Sequence, residues 1–160
     1  MLKTLPTLGL SAFCATASIG QVEAPSVRPT LVGLQVDHLD ASVRWYVSHL
    51  GFQQKVRKEF REHQLKLAIL ALQDFELELV ENAKTVRKTD ALAGKDSDDI
   101  TGFAKVTFTV NRVATLFRRL KSQGARFAIE LRDSNTEPDK KHFVVLDPDG
   151  NWLQFVGKKS

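Results

Sequence analysis

The feature that most constrains this chain is a single pattern that occurs twice along it. In each copy, a short strand with alternating apolar side chains leads into an amphipathic helix that ends at a glycine. The lead strands are predicted over residues 31–36 and 104–110, and Val36 and Val110 hold the same place in the two copies. Two copies of one unit indicate an internal repeat with a shared core.

Each predicted helix has apolar residues at the i, i+3, i+4, i+7 spacing of one face. The first helix is expected to take Asp40 as its N-cap and to end at Gly51, and the second to begin after Asn111 and to end at Gly124. The apolar stripes consist of Val43, Tyr46, Val47 and Leu50, and of Val113, Leu116, Phe117 and Leu120. Both helices are therefore predicted to pack one face against their strands.

Three more strand-like segments follow each helix, so each half has the order β-α-β-β-β and the predicted fold class is α+β. The further strands are predicted at 52–59, 65–72, 75–81, 126–131, 143–146 and 152–156. The sequence Asp-Pro-Asp-Gly-Asn over 147–151 is a strong turn signal between the last two. The expected division is module one over 30–81, a linker over 82–101, and module two over 102–157, with a polar loop at 132–141.

The first 24 residues differ in character from the remainder. Residues 1–24 carry only two charges, Lys3 and Glu23, and a basic start precedes a stretch rich in Leu, Ala, Ser and Gly. This composition indicates a secretory signal peptide and a periplasmic or secreted protein. The alternative is a disordered tail on a cytoplasmic protein. The only cysteine, Cys14, lies in this segment, so the remaining chain cannot form a disulfide within itself.

Composition narrows the function classes. Charged residues make up 26% and hydrophobic residues 42% of the chain, which is typical of a globular protein. The net charge is +4, but the basic residues occur as scattered pairs, most with acids nearby, which argues against nucleic-acid binding. After residue 24, no apolar run approaches the roughly 20 residues of a membrane span. Phosphate-loop, dinucleotide and nucleophilic-serine motifs are absent from the sequence.

Two segments make the chain recognisable. Leu-Gln-Val-Asp-His-Leu-Asp-Ala-Ser-Val-Arg-Trp-Tyr-Val-Ser-His-Leu-Gly-Phe (34–52) resembles the first strand and helix of the vicinal oxygen chelate (VOC) superfamily, and Val-Leu-Asp-Pro-Asp-Gly-Asn-Trp (145–152) resembles its closing hairpin. That superfamily includes glyoxalase I, bleomycin-resistance proteins and extradiol dioxygenases. The resemblance covers 30–157 and implies tandem βαβββ modules, with curled mixed sheets around a concave pocket, and a homodimer. It leaves the reaction open, because the fold hosts many chemistries.

Strand alternation, combined with the resemblance, predicts which side chains face the pocket. On each strand, alternate residues that are apolar are expected to face the helices, and the residues between them, most of which are polar, to face the cavity. We predict the following ligand-binding residues: Gln35, Glu76, Glu78, Lys105, Thr107, Thr109, Trp152 and Gln154. Taken without the resemblance, the same pattern is also typical of an antiparallel sheet with one face in solvent.

The resemblance also bears on metal binding. Metal-bearing relatives take one ligand from the first and one from the last strand of each module, and here these four positions hold Leu31, Glu78, Lys105 and Gln154. Only Glu78 is a good ligand, because Leu31 has no donor atom and the ammonium of Lys105 repels a cation. We therefore predict no metal and no cofactor, and an ion pair between Lys105 and Glu78 in place of the metal.

The predicted function is a small-molecule-binding protein of the VOC superfamily, similar to glyoxalases and bleomycin-resistance proteins but without their metal centre. One alternative is a lyase, isomerase or dioxygenase in which Glu78 acts as the catalytic base or as a residual metal ligand. Another is a protein-interaction module. The expected partners are a small-molecule ligand and a second copy of the chain.

Overall fold

A computed structural model describes residues 29–86 and 103–159, and these form an α+β fold. The predicted N-terminal segment 1–24 and most of the predicted linker 82–101 lie outside the described residues. Module one contains β1 (Leu31–Gln35), α1 (Leu39–Trp45), β2 (Gln53–Phe60), β3 (Leu65–Leu72) and β4 (Phe75–Asn82). Module two contains β5 (Lys105–Thr109), α2 (Val113–Ser122), β6 (Arg126–Asp133), β7 (Lys140–Leu146) and β8 (Trp152–Lys158). The predicted tandem βαβββ order is confirmed.

The two modules have the same sheet topology. The strand orders are β1-β4-β3-β2 and β5-β8-β7-β6, and in each sheet the first pair is parallel and the others antiparallel. Gly33 lies opposite Glu78 in the first sheet, and Thr107 lies opposite Gln154 in the second. Glu78 and Gln154 therefore hold equivalent positions. Among the described helices, none is long and apolar enough to span a membrane.

The start of α1 differs from the prediction. The helix begins at Leu39 without a side-chain cap from the preceding residue, and Asp40 instead forms an ion pair with Arg57 at 2.8 Å. The N–H of Leu39 donates to Oε2 of Glu81, on β4, at 2.7 Å. A carboxylate from another strand thus takes the place of the local cap, since the positive end of the helix dipole favours an anion there. In module two, the predicted cap Asn111 is also not the N-cap residue. Arg112 occupies that position, and its side chain forms no capping hydrogen bond.

The end of α1 also departs from a regular helix. Residues Tyr46–Leu50 form a π-helical turn, and Gly51 then stops the chain with a φ of 79°, as predicted for a glycine stop. Tyr46 is fully buried, but Val47 is 42% exposed, so its predicted place on the apolar stripe is wrong. The wider π turn changes the 3.6-residue spacing on which that assignment rested. Gly124 also has a positive φ, of 76°, at the end of the second helix.

The predicted loop 132–141 is shorter than the sequence indicates. The strand β6 continues to Asp133, and β7 already begins at Lys140. Asp133 forms ion pairs with Lys141 at 2.8 Å and Lys159 at 2.9 Å, and these hold the strand ends together. As a consequence, Arg132 pairs with His142 within the sheet.

The helix-side faces of both sheets share one core. The ring of Phe108 on β5 lies 5.4 Å from that of Phe75 on β4, and 5.2 Å from that of Phe155 on β8. The buried set that fills this core with the helices includes Leu39, Tyr46, Leu70, Leu77, Leu79, Leu120, Phe143, Val145 and Leu153. Burying one such aliphatic or aromatic side chain contributes about 1.5–3 kcal/mol, so this shared core holds the modules together.

The contact of Glu81 with α1 leads to a stability prediction. Glu81→Gln is expected to lower the free energy of unfolding by about 1 kcal/mol at neutral pH, because the helix start loses its anionic acceptor. The hydrogen bond from Lys66, and then that from the N–H of Leu39, lower the pKa of Glu81. Its contribution is therefore present above the unfolded-state pKa of about 4.3 and is lost as the pH falls through the lower folded-state value.

Urea unfolding of the wild type and the Glu81→Gln variant at pH 7 and at pH values below about 4 checks this expectation. The exposed Glu62 on the turn after β2 provides the control variant Glu62→Gln, which should match the wild type. A difference between wild type and Glu81→Gln that persists unchanged into acid would contradict an ionic cap.

Candidate functional site

The predicted site residues all lie on one side of the sheets, which we call the open face because it points away from the helices. On β1, Leu31, Gly33 and Gln35 are exposed, whereas Val32 and Leu34 pack against the core. The pairing of β1 with β4 and of β5 with β8 shows which residues of the neighbouring strands lie on the same face. The open face holds the eight predicted residues: Gln35, Glu76, Glu78, Lys105, Thr107, Thr109, Trp152 and Gln154.

A groove of about 510 Å³ runs between the edge strands β1 and β5 of the two modules. Leu31 contributes to its lining from module one, and Lys105, Thr107 and Trp152 from module two. Gly33 also lines it, and a Cβ placed on Gly33 would lie 3.7 Å from Oε2 of Glu78. The Glu78 carboxylate therefore lies directly beside this groove.

Three of the predicted residues lie elsewhere on the open face. Gln35 lines a separate groove of about 560 Å³ and accepts a hydrogen bond from the hydroxyl of Thr85 at 3.3 Å. Glu76 pairs with Lys55 at 3.3 Å. Thr109 lines a cleft of about 430 Å³ where the two modules meet. The groove between β1 and β5 thus gathers only part of the predicted set.

Gln154 has an unusual environment. Its Oε1 is buried, and no hydrogen-bond donor among the described residues reaches it. It lies opposite Thr107 on β5 and Val144 on β7. A buried acceptor without a partner costs about 1–3 kcal/mol, so a bound molecule that donates a hydrogen bond here would recover that energy.

The predicted ion pair between Glu78 and Lys105 is not formed. Both residues are described, and neither takes part in an ion pair within the described ranges. The positive charge of Lys105 instead acts on His142, on the third strand of the second sheet, where it helps to lower the pKa of that histidine. Lys105 and Glu78 lie on strands of different modules, β5 and β4.

The predicted site set leaves out two residues of this face, Arg132 and His142, because the sequence favoured a surface position for His142 at the start of its strand. His142 is only 9% exposed, and its Nε2 accepts a hydrogen bond from Nε of Arg132 at 3.3 Å. Burial lowers the pKa of His142, and the charges of Arg132 and Lys105 lower it further, so the imidazole is neutral at neutral pH. Extending the alternation of β7 backwards from Val144 would have placed His142 on the open face.

The donor set does not fit the metal centre of metal-bearing relatives. Among the described residues there is no group of three or more His, Cys, Asp or Glu side chains that could hold a metal. At the four positions implied by the resemblance, Glu78 offers the single carboxylate, and Lys105 supplies a positive charge. The Nε2 lone pair of His142, which lies on the open face, already accepts the hydrogen bond from Arg132. No chemical step is therefore assigned to a metal.

Solved structures with the same fold come from several bacteria. The glyoxalase family protein from Enterococcus faecalis matches with a TM-score of 0.70 and 22% identity, covering 81% of this chain and 96% of that one. A glyoxylase/bleomycin resistance protein/dioxygenase domain from Frankia sp. EAN1pec matches with a TM-score of 0.66 and 22% identity, covering 85% and 95%. At these identities, the likeness shows the fold and not the reaction.

Sequence comparison points to the same family. The lactoylglutathione lyase of Schizosaccharomyces pombe is 26% identical over 141 residues, which is 78% of this chain but only 45% of the yeast protein. This chain therefore aligns with less than half of that enzyme's length. A family profile matches residues 28–155, which is most of the chain. The chain belongs to the glyoxalase/bleomycin resistance protein/dioxygenase superfamily.

Proposed function

We propose that this chain binds a small organic molecule in the groove between β1 and β5, without the help of a metal. The observation that carries the proposal is the buried Oε1 of Gln154, which has no hydrogen-bond donor among the described residues and lies next to Thr107 and Trp152, which line a groove between the modules. Ligand sites commonly combine apolar walls with a few polar groups whose hydrogen bonds are completed by the ligand. Homodimer formation and export remain predictions from the sequence.

Each lining side chain has a chemical role in this proposal. The half-buried indole of Trp152 offers a flat surface on which a planar part of the ligand stacks. The hydroxyl of Thr107 can donate or accept a hydrogen bond, and Lys105 supplies a charged donor. Leu31, at 39% exposure, gives an apolar wall.

A second candidate function is catalysis of proton transfer. The Glu78 carboxylate lies beside the groove and has no ion-pair partner among the described residues. An unpaired carboxylate next to a bound substrate can act as a general base, as a lyase or isomerase requires. The similarity to a lactoylglutathione lyase makes this class relevant. If this candidate is correct, Glu78→Gln abolishes turnover while ligand binding persists.

The two tryptophans of the chain provide a test of binding. In the Trp45→Phe variant, Trp152 is the only tryptophan, and its fluorescence is expected to change when a ligand from a thermal-shift panel is added. In the Trp152→Phe variant, the remaining Trp45 lies on α1 and should report no change. Trp152→Phe should also raise the Kd by roughly tenfold, through lost stacking.

Metal dependence is measured in the same experiment. Binding is expected to be the same before and after treatment with a chelator, and elemental analysis of the purified protein should find no stoichiometric metal. Two results would count against metal-free binding. One is that no compound of the panel shifts the melting temperature, and the other is that binding is lost after treatment with the chelator.

A further inference from the structure

Both modules also line the cleft of about 430 Å³ in which Thr109 lies, and we call it the junction cleft. It is a different cavity from the groove between β1 and β5, although Thr107 lines both. Most of its lining is apolar and comes from both modules, including Leu50, Phe52, Phe75, Phe108, Leu116 and Phe155. A cavity of this size with mainly apolar walls is typical of a small-molecule site.

Four phenylalanines form a continuous aromatic wall in the junction cleft. The ring of Phe108 lies 5.4 Å from that of Phe75, 5.2 Å from that of Phe155 and 6.3 Å from that of Phe52. Phe75 and Phe108 are only partly buried. A ligand with an apolar body would remove the remaining exposed surface of these two rings from water, which favours binding.

Arg119 supplies the charge of the junction cleft. This exposed residue of α2 lines the cleft, and its Nη2 donates to the backbone carbonyl of His49 at 3.2 Å. The hydrogen bond joins α2 to the π-helical turn of module one. A guanidinium has five N–H donors, and Arg119 forms no ion pair with the described residues, so most of its donors remain available to a ligand.

The charge of Arg119 is not balanced within the junction cleft. In the part of the chain that the structure describes, no Asp or Glu lines this cavity, and its other polar residues are the uncharged Gln73, Thr107 and Thr109. A positive charge beside an apolar cavity attracts an anion. A carboxylate fits best, because its two oxygens match the fork of a guanidinium.

The equivalent junction on the other side of the molecule has polar contacts instead. There, Asp149 in the turn of module two accepts a hydrogen bond from the hydroxyl of Ser42, the fourth residue of α1, at 2.8 Å. The fourth residue of α2 is Leu116, which lines the junction cleft. The corresponding turn of module one, Gln73 and Asp74, forms no side-chain hydrogen bond with α2 among the described residues. The apolar cleft is therefore a property of these residues and not of the repeated fold.

We propose that the junction cleft binds a monocarboxylate with an apolar body, of the arylalkanoate or medium-chain fatty acid class. Its carboxylate accepts hydrogen bonds from Arg119, and its apolar body lies against Phe75, Phe108 and Leu116. This inference goes beyond the proposed function, because it assigns a second ligand to a different cavity.

Titration followed by NMR at low ionic strength tests the proposal with matched probes. We compare 4-phenylbutyrate with its neutral amide, and octanoate with octanamide. At least one acid is expected to bind about fivefold more tightly than its amide, since an ion pair with an exposed guanidinium is partly screened by water. Arg119→Gln should remove this difference and leave amide binding unchanged. Thr109→Phe, which places a ring in the cleft from an exposed strand position, should weaken acid and amide alike.

Two control variants should bind the acids as the wild type does. Arg118→Gln removes the same charge from a neighbouring residue that does not line the cleft, and Lys105→Met removes a charge from the groove between β1 and β5.

Three results would overturn the proposal: neither acid binds, acid and amide bind equally, or Arg118→Gln weakens acid binding as much as Arg119→Gln does. If Lys105→Met weakens acid binding and Arg119→Gln does not, the acid occupies the groove. That result would also overturn the second site, but it would support the proposed function.

Discussion

The Gly157→Ala variant is expected to lose about 3 kcal/mol or more of its free energy of unfolding. A Cβ at this position would lie 2.2 Å from the backbone carbonyl oxygen of Val110 and 3.0 Å from Cβ of Val113. The first contact is with backbone, so it cannot be relieved by a side-chain rotation. The segment between β5 and α2 would have to move away from β8. This movement would also displace Val113, which is fully buried in the core.

Gly33→Ala is the matched control, because it also adds one methyl group to a parallel strand pair. The nearest atom to its new Cβ is Oε2 of Glu78 at 3.7 Å, an ordinary contact. Urea unfolding followed by tryptophan fluorescence should therefore place Gly33→Ala within about 1 kcal/mol of the wild type. If both alanine variants were equally stable, the close approach of β8 to Val110 would be refuted.

Much of the fold could be predicted from local sequence patterns. The β-α-β-β-β order follows from residue spacing, because period-2 and period-3.6 patterns reflect which face each element buries. The same period-2 alternation predicted which residues of β1, β4, β5 and β8 face the core and which lie on the open face. A tight turn such as 147–151 is equally local, since its Asp, Pro, Gly and Asn determine its backbone conformation.

Features that depend on contacts between distant segments could not be predicted in this way. Glu81 and Gly157 hold the same position in the two modules, one residue beyond the register pairs Gln35 with Val80 and Thr109 with Val156. In module one, Glu81 accepts a hydrogen bond from the start of α1. In module two, there is no room for a side chain, so the residue is Gly157. Neither requirement is visible from the neighbours along the sequence, because each involves a segment more than 40 residues away.

The same distinction applies to the candidate site. Alternation predicted that Glu78, Lys105 and Gln154 share a face, but it could not predict that Glu78 and Lys105 form no ion pair within the described residues. The direction of a long, flexible ammonium depends on which neighbours stand across the sheet. The pairing of β6 with β7 brings Arg132 beside His142. This pairing could not be predicted, because the polar sequence of 132–141 is typical of a loop.

Asp147→Ala is the second change with a large expected effect, a loss of about 4 kcal/mol of the free energy of unfolding. Oδ2 of the fully buried Asp147 accepts from the Tyr46 hydroxyl at 2.8 Å and from Nδ2 of Asn151 at 2.9 Å. Its Oδ1 accepts from the backbone N–H groups of Asp149 and Asn151. Removing the carboxylate leaves the buried Tyr46 hydroxyl and three partly buried donors without their acceptor. It also removes one link between the turn of module two and module one, whereas the bond from the Ser42 hydroxyl on α1 to Oδ2 of Asp149 remains.

Urea unfolding of Asp147→Ala is compared with that of Asp74→Ala, a change at an exposed residue in the corresponding turn of module one. The control should stay within about 0.5 kcal/mol of the wild type, and an Asp147→Ala variant that did the same would contradict the role of this hydrogen-bond network. Tyr46→Phe should cost less, about 1–2 kcal/mol, because only one of the four donors is removed.

The alkaline pH dependence separates the Tyr46 hydroxyl from the rest of the network. Burial, and then the negative charge of Asp147, raise the pKa of Tyr46, so its protonated form stabilises the folded state. This contribution is complete below the unfolded-state pKa of about 10 and is lost as the pH rises above it. The wild type should therefore lose stability above about pH 10, and Tyr46→Phe should lack this part of the loss. Because the chain has one tyrosine, the absorbance of tyrosinate reports on Tyr46 alone. If Tyr46 in the folded protein titrated near the ordinary tyrosine pKa of about 10, its hydroxyl would not be held in the buried network.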